Sequence, residues 1–372
     1  MSPADSDSAW MRRALELAQR GRGQVEPNPM VGCVLVRDGQ LLAEGYHRRY
    51  GGPHAEVDAL GSLASLADAR GATAYVTLEP CCHTGKTPPC SRALIAAAVA
   101  RVVVAIRDPF PQVAGGGLAE LRAAGIHVDI GVGAAEAIRL LAAYLKRVRA
   151  GRPWVIAKWA MTLDGRIATA AGDSQWISGP VSRGEVHRLR GLVDGILVGG
   201  GTAAADDPTL TARPPGPRTA TRIVLADHRL PRLEGRLFQT LEQAPLLVVV
   251  PATVSSDQTE PLRRAGAEVM TCQTADRVEM IGELLDHLGG PRRMTHLLVE
   301  GGAGVLGSFF AADQVDEIHA YLGPKIVGGK TAPGPVGGSG WSRLADSPEW
   351  ELDRVCRLDD DVQIIARRRC NI

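Results

Sequence analysis

Apolar positions recur at helical spacing over residues 9–20, where Met11, Ala14, Leu15 and Ala18 share one face. Residues 1–8 are polar and acidic, and are expected to be disordered. Short apolar runs follow. Residues 31–36 read as a strand, Gly39 as a turn and residues 41–45 as a second strand. Helical spacing returns over 55–66, a strand over 74–78, a helix over 91–99 and a strand over 101–106. Helices are expected at 118–124 and 134–149. Such alternation builds a layered α/β domain.

The helix that ends near Arg149 carries Lys146, Arg147 and Arg149, and Gly151-Arg152-Pro153 stops it. A domain boundary is placed there, around 147–152, giving domains 1–148 and 149–372. In the second half strands are expected at 154–159, 195–198, 222–226, 246–250, 296–299, 317–322 and 362–366, with helical stretches between most of them. That is a second α/β sheet. The chain of 372 residues suits two domains.

Composition narrows the function classes. With 45% hydrophobic residues each half can bury a core, and a formal net charge of +1 gives no global attraction to nucleic acid or an anionic membrane. Aromatic residues are only 4%, with no row of them laid out for base stacking. The longest apolar run, 94–106, is broken by Arg101, and MSPADSDS does not read as a signal peptide. The seven cysteines are an odd set for disulfides, and Cys81, Cys82 and Cys90 crowd together. The reading is a soluble, reducing, cytoplasmic protein. Its oligomeric state stays open, a homo-oligomer included.

The crowded cysteines belong to a pattern. Pro53-His54-Ala55-Glu56 opens a helix, and Glu79-Pro80-Cys81-Cys82-His83-Thr84-Gly85-Lys86-Thr87-Pro88-Pro89-Cys90 follows a strand. A catalytic zinc takes three nitrogen or sulfur ligands and leaves one position open. His54, Cys81 and Cys90 can supply one nitrogen and two sulfurs. Cys90 stands at a helix start, which favours a thiolate. Glu56, two residues past His54, can stand beside the metal without ligating it and move a proton from water to a leaving amine. A lone histidine at a helix start is more often a cap, and a lone cysteine a small buried hydrophobe. The joint pattern outweighs both readings. It matches the zinc nucleobase deaminases, in a variant with eight residues between the cysteines. Of the adjacent pair, Cys81 directly follows proline as the pattern requires, and Cys82 is expected to point elsewhere.

In the second half Lys158 interrupts an apolar strand, where a lysine is at an edge, snorkelling or functional. The strand ending at Val198 runs into Gly199-Gly200-Gly201-Thr202, and glycines there let backbone approach a ligand. Glu300 precedes Gly301-Gly302-Ala303-Gly304-Val305-Leu306-Gly307-Ser308, a strand-to-helix turn able to cradle a diphosphate. It comes too late in its domain, without the acidic residue at the end of the next strand, for a standard dinucleotide fold. Glycines for close helix-sheet packing are the plainer reading of the same residues.

Together these strings resemble the bifunctional riboflavin-biosynthesis deaminase/reductase family. P-H-A-E, E-P-C-x-H-x-G-x-T-P-P-C, the upstream Pro27-Asn28-Pro29-Met30-Val31-Gly32-Cys33-Val34 and Gly45-Tyr46-His47 carry the first half of the resemblance. Ser174-Gln175-Trp176-Ile177-Ser178, His187-Arg188-Leu189-Arg190, the run from Gly199 through Asp207-Pro208 and Leu210-Thr211 to Arg213, Glu300-Gly301-Gly302 and Pro324-Lys325 carry the second. Thr162 stands where the family has serine. The resemblance implies a cytidine-deaminase-like α/β/α domain followed by a dihydrofolate-reductase-like α/β domain that uses NADPH. It implies that His54, Cys81 and Cys90 hold Zn2+, that Glu56 shuttles the proton, and that Asn28, His47, His83 and Lys86 contact a phosphorylated pyrimidine. It implies cofactor contacts from Ala160, Trp176, Thr202, Asp206 and the turn Gly302, Ala303, Gly304, Val305, Leu306, Gly307 and Ser308. Ser174, Arg190, Leu210, Arg213 and Glu300 are expected to face the reductase substrate, and Lys158 to polarise or orient its sugar. Arg190 and Arg213 suit a phosphate by bidentate hydrogen bonding.

The implied chemistry is hydrolytic deamination of a diaminopyrimidinone ribosylamine phosphate and then reduction of the ribosyl group to ribityl. A nucleic-acid deaminase would want a basic or aromatic surface. A structural zinc module would want four closed ligands and no neighbouring base. A decayed reductase is opposed by the intact Lys158, Asp206-Asp207 and Glu300 stretches.

Overall fold

The computed structural model describes residues 3–84 and 88–369. It divides into two compact units, Met1–Gly151 and Arg152–Ile372.

In the first unit α1 spans Pro3–Gln19, β1 Gly32–Arg37, β2 Gln40–Tyr46, α2 Ala55–Gly61, β3 Thr73–Val76, α3 Cys90–Ala96, β4 Arg101–Val104, α4 Gly116–Ala123, β5 His127–Ile130 and α5 Ala134–Ala150. The sheet order is β2-β1-β3-β4-β5, with β1 antiparallel to β2 and β3, and β3, β4 and β5 parallel. Strand alternation assigns the layers. Cys33, Leu35, Ala74, Val76, Val102 and Val104 pack with Ala55, Ala59, Leu94, Leu118 and Leu121, so α2, α3 and α4 cover one face. Val34, Val36, Tyr75 and Val103 pack with Met11, Ala14, Leu15 and Ala137, so α1 and α5 cover the other.

Two sequence readings are corrected, and the boundary between the units is sharpened. Residues 3–8 are helical, not disordered: Asp7 accepts hydrogen bonds from Arg101 (2.7 and 3.0 Å) and from the Tyr75 hydroxyl (2.6 Å), which anchors the first turn. The helix expected over 55–66 stops at Gly61, and a short 3-10 turn, Leu66–Ala69, follows behind the Ser65 capping box. The domain division falls after Gly151, inside the boundary expected around 147–152, because α5 continues to Ala150. There Gly151, in the left-handed region at φ 68°, returns its N–H to the Arg147 carbonyl.

In the second unit β6 spans Trp154–Thr162, α6 Pro180–Arg190, β7 Gly195–Gly199, α7 Gly200–Asp206, β8 Thr221–Leu225, α8 Arg236–Gln239, β9 Leu246–Val250, α9 Ser256–Arg264, β10 Glu268–Thr271, α10 Arg277–Gly289, β11 His296–Gly301, α11 Ala303–Ala311, β12 Glu317–Gly323, β13 Trp350–Leu358 and β14 Asp361–Arg368. The order is β10-β9-β8-β7-β11-β6-β12-β14-β13, parallel from β10 to β12 and antiparallel beyond. The edge strands β5, β10 and β13 were not read from the sequence. β13 is almost wholly exposed, so its side chains lack the apolar alternation that marks a half-buried strand.

Period-2 alternation also prepares a site. Val155, Ala157, Leu297 and Val299 join α10 and α11 in the core. Lys158 and Glu300, one residue further on, therefore face the opposite side of adjacent parallel strands. Among the described residues no helix is long and apolar enough to cross a membrane.

Candidate functional site

In the first unit α2 begins at Ala55 with His54 as its N-cap, and α3 begins at Cys90. Nδ1 of His54 lies 3.5 Å from Cys81 Sγ and 3.3 Å from Cys90 Sγ, and all three ligand atoms lie within 4.8 Å of one another. Tetrahedral zinc with its usual Zn–N and Zn–S bonds separates nitrogen from sulfur by about 3.6 Å. The donor set and its spacing therefore fit zinc. Cys82 turns away, its Sγ facing the carbonyls of Gln112 and Val113 at 3.6 and 3.9 Å.

The α3 start stands beside both thiols, and a zinc ion held there would keep both as thiolates. The Cys81 thiol is lowered to about 4, chiefly by the Cys90 thiol and also by His54, and the Cys90 N–H points at it from 3.4 Å. Cys90 is pushed up by that same neighbour and by burial. Glu56 is buried within hydrogen-bond reach of Cys90; burial, then the Cys81 charge, raises its carboxyl.

Around this cluster, Pro53 O accepts from His47 Nδ1 at 2.8 Å, which leaves His47 Nε2 to face the Asn28 amide nitrogen at 3.2 Å. Burial holds His47 towards its neutral form. The His83 ring packs against Phe110 at 5.9 Å, and its buried Nδ1 has no hydrogen-bond partner among the described residues. Lys86 lies outside the described residues.

Glu79, quoted in the sequence motif without a role, is the main structural support that sequence reasoning missed. It is 3% exposed, and its two oxygens accept four backbone N–H bonds, from Asp108, Gly115, Gly117 and Leu118, at 3.1–3.3 Å. Gly117 is required there, since a Cβ would overlap the Pro80 carbonyl. Asp108 accepts the Tyr144 hydroxyl, at 2.9 and 3.1 Å to its two oxygens. An acid closing an apolar strand was the available signal.

In the second unit Arg190, at the end of α6, meets Glu300 with both arms of its guanidinium at 2.6 and 2.8 Å, and Lys158 Nζ lies 3.9 Å from the same carboxylate. Burial alone would raise Glu300, but Arg190 and then Lys158 hold it at about 2. Burial lowers Lys158, which lies 6.0 Å from the Tyr321 ring centroid. The Arg190 fork is thus occupied by a carboxylate and not free for bidentate phosphate binding. Arg213 is exposed, donating to Thr209 Oγ1 at 2.6 Å.

The glycine turns fit a nucleotide approaching through backbone. A Cβ on Gly302 would stand 2.7 Å from Thr202 Oγ1, and one on Gly301 3.4 Å from Gly199 N. The turn expected to bind cofactor along its whole length is unevenly accessible. Gly302, Ala303 and Gly304 are accessible. Val305 and Leu306 point into the core and Gly307 packs against the Gly337 backbone, so these three can reach a ligand only through main-chain groups. Ser308 Oγ is turned back to the Gly304 carbonyl at 2.9 Å. Ala160 lies on β6 opposite Tyr321, and Asp206 closes α7 with its carboxyl raised by burial. Trp176 is 60% exposed with the Arg183 guanidinium 4.6 Å from its ring centroid, and Ser174 is half-buried in the same loop. Leu210 is buried with φ 52°, so its side chain is a packing group and only its backbone is left for a ligand.

Residues 4–106 match the cytidine and deoxycytidylate deaminase zinc-binding region, and residues 153–364 match the RibD C-terminal domain. The riboflavin biosynthesis protein RibD of Actinobacillus pleuropneumoniae is 39% identical over 359 residues, covering 96% of this chain and 94% of the relative. Among solved structures, Acinetobacter baumannii RibD superposes with a TM-score of 0.85 at 36% identity, over 99% of this chain and 100% of that one. A Thermotoga maritima diaminohydroxyphosphoribosylaminopyrimidine deaminase/5-amino-6-(5-phosphoribosylamino)uracil reductase superposes at 0.84 and 35%, with the same coverage. The architecture is accordingly a zinc-binding deaminase domain followed by a dihydrofolate-reductase-like α/β domain. With the zinc triad in one unit and the reductase domain in the other, both in the family's order, this chain belongs to the RibD family of bifunctional riboflavin-biosynthesis deaminase/reductases.

Proposed function

We propose that the first unit hydrolyses the 2-amino group from 2,5-diamino-6-(5-phosphoribosylamino)pyrimidin-4(3H)-one. The second unit then reduces the ribosyl side chain with NADPH to give 5-amino-6-(5-phosphoribitylamino)uracil. The convergence of His54, Cys81 and Cys90 beside a buried Glu56 carries this reading. The Thermotoga protein, whose name contains both activities, supports the choice of substrate.

Zinc bound by the triad supplies the Lewis acidity that makes water nucleophilic near neutral pH. Glu56, with its carboxyl raised, takes a proton and returns it to the departing amine. Asn28, oriented by neutral His47, keeps its amide oxygen and one N–H for the pyrimidine edge. His83 and Lys86 meet the substrate beyond the ring.

In the second unit NADPH, when bound, supplies the hydride. Ala160, Trp176, Thr202, Asp206 and the turn from Gly302 to Ser308 hold it, the last part through backbone. Lys158 orients the sugar oxygens, with Glu300 kept ionised by Arg190. Ser174, Leu210 and Arg213 complete the substrate side, with Arg213 on the phosphate. A cytoplasmic setting accords with thiolate ligands and a reduced nicotinamide cofactor.

The test incubates the purified protein with the diaminopyrimidine substrate, with and without NADPH, and follows ammonia and cofactor absorbance. Ammonia is expected in both, and NADPH oxidation only after it. Ammonia alone would leave only the deaminase; neither signal ends the reading.

A further inference from the structure

Residues 324–340, which leave β12, form no helix or strand, and only Ala332 among them is buried. Six of these seventeen residues are glycine. Fixing the backbone costs about 1–2 kcal/mol per residue, and glycine has the most freedom to lose. With so little apolar burial, hydrogen bonds decide where this segment lies.

Those bonds go to three places. The first is the turn after β6. Asp164 accepts the N–H of Val327 at 3.2 Å on one carboxylate oxygen and that of Gly328 at 2.7 Å on the other. Arg166 Nη1 donates to the Ala332 carbonyl at 2.6 Å, and the Leu163 and Ile167 N–H groups donate to the Lys325 and Pro333 carbonyls at 2.9 and 3.0 Å. The second is the loop that carries Ser174 and Trp176. Lys325 Nζ donates to the Trp176 carbonyl at 2.6 Å, and a Cβ on Gly323 would overlap the Ile177 carbonyl. The third is the start of α11, where the Gly337 N–H donates to the Ala303 carbonyl at 2.9 Å and a Cβ on Gly307 would overlap the Gly337 carbonyl.

One irregular segment thus joins a substrate-facing loop to a cofactor-facing turn. Its two charged anchors, Asp164 and Lys325, have had no role so far. Both are exposed, so water can replace their bonds and the fold loses little without them. The Asp164 carboxylate also accepts the Thr162 hydroxyl at 2.5 Å. That hydroxyl, and then the Gly328 N–H, hold the carboxyl at about 2, so it stays an acceptor through the neutral range.

We propose that Asp164 and Lys325 are positioning residues of the reductase, which pin residues 324–340 so that the Ser174–Trp176 loop and the start of α11 keep one fixed relation. The inference rests on the second unit being the nicotinamide-dependent reductase. Neither residue touches a reacting atom. They act through geometry, and a misplacement of about 1 Å between reacting groups costs roughly 10²-fold in rate.

The test compares the full chain with Asp164→Ala, Asp164→Asn and Lys325→Met. Backbone hydrogen exchange without ligands comes first. Asp164→Ala is expected to speed exchange at Val327 and Gly328, and also at Gly337, which it does not touch. Single-turnover NADPH oxidation on the deaminated substrate comes second. In Asp164→Ala the rate constant should fall roughly 10- to 10²-fold, while the amplitude, which counts folded sites, stays at the wild-type value. Asp164→Asn keeps one acceptor oxygen and should recover part of the rate, and Lys325→Met should slow the same step less. Ammonia release, made by the other unit, should match wild type throughout. Faster exchange confined to Val327 and Gly328, or a lower amplitude at an unchanged rate constant, overturns the proposal. A wild type that oxidises no NADPH removes the reductase reading and this inference with it.

Discussion

The two sites are built on opposite electrostatic plans. In the first unit the reacting groups sit among neutral or backbone-anchored partners: His47 is held neutral, and the carboxylate of Glu79 is spent on four main-chain N–H groups. The charge needed for chemistry is to come from a cation in the His54-Cys81-Cys90 cluster. In the second unit the charges are side chains that neutralise one another, with Glu300 between Arg190 and Lys158. A metal site concentrates its dependence on a few ligands. A site of paired side chains spreads it over strands far apart in sequence, and breaking one pair leaves a buried charge behind.

The contrast can be broken most sharply at the metal. His54→Ala, or removal of zinc by a chelator, should take ammonia release to background while leaving NADPH oxidation on the deaminated substrate intact; loss of both would mean that the units are not separable in this way. Glu56→Gln should lower kcat for deamination by roughly 10²–10⁴-fold with zinc content unchanged, measured by metal analysis alongside initial rates.

Glu300→Gln should have its effect in the other unit and through stability. It leaves Arg190 buried without its partner, at a cost of about 3–5 kcal/mol in denaturant unfolding near neutral pH. The pH dependence has a definite sign. The Glu300 carboxyl is depressed from 4.5 to about 2, so its contribution is present above about 4.5 and is lost as pH falls towards 2. The difference between wild type and Glu300→Gln should therefore shrink across that window. If it is flat there, the pair contributes nothing of the kind. The smallest effect is expected at Gly302, which has φ 70° and lies against Thr202. Gly302→Ala should cost about 1–3 kcal/mol of backbone strain, read as a raised KM for NADPH with deamination unchanged.

The degree to which each site was legible in the sequence follows the same division. Zinc ligands must be a particular few residue types, and two short strings hold all three, so the cluster could be found without coordinates. Its supports could not. Glu79 resembles any acid at a strand end until the 108–118 segment is seen folding over it. Likewise the run from Gly302 to Ser308 looked uniformly cofactor-facing, although α11 turns Val305 and Leu306 into the core. Arg190 looked like a phosphate ligand until β11 brought Glu300 to it across 110 residues. The first turn of α1 looked disordered because the partners of Asp7 lie on β3 and β4.

Local pattern by itself determined the alternating elements, the two-unit division to within a few residues and the identity of the metal ligands, because periodicity, turn chemistry and ligand type act over short stretches of chain. Tertiary structure alone decided which carboxylate meets which arginine and where glycine is obligatory. Those outcomes depend on distances between strands and on burial, and neither quantity is written in the order of the residues.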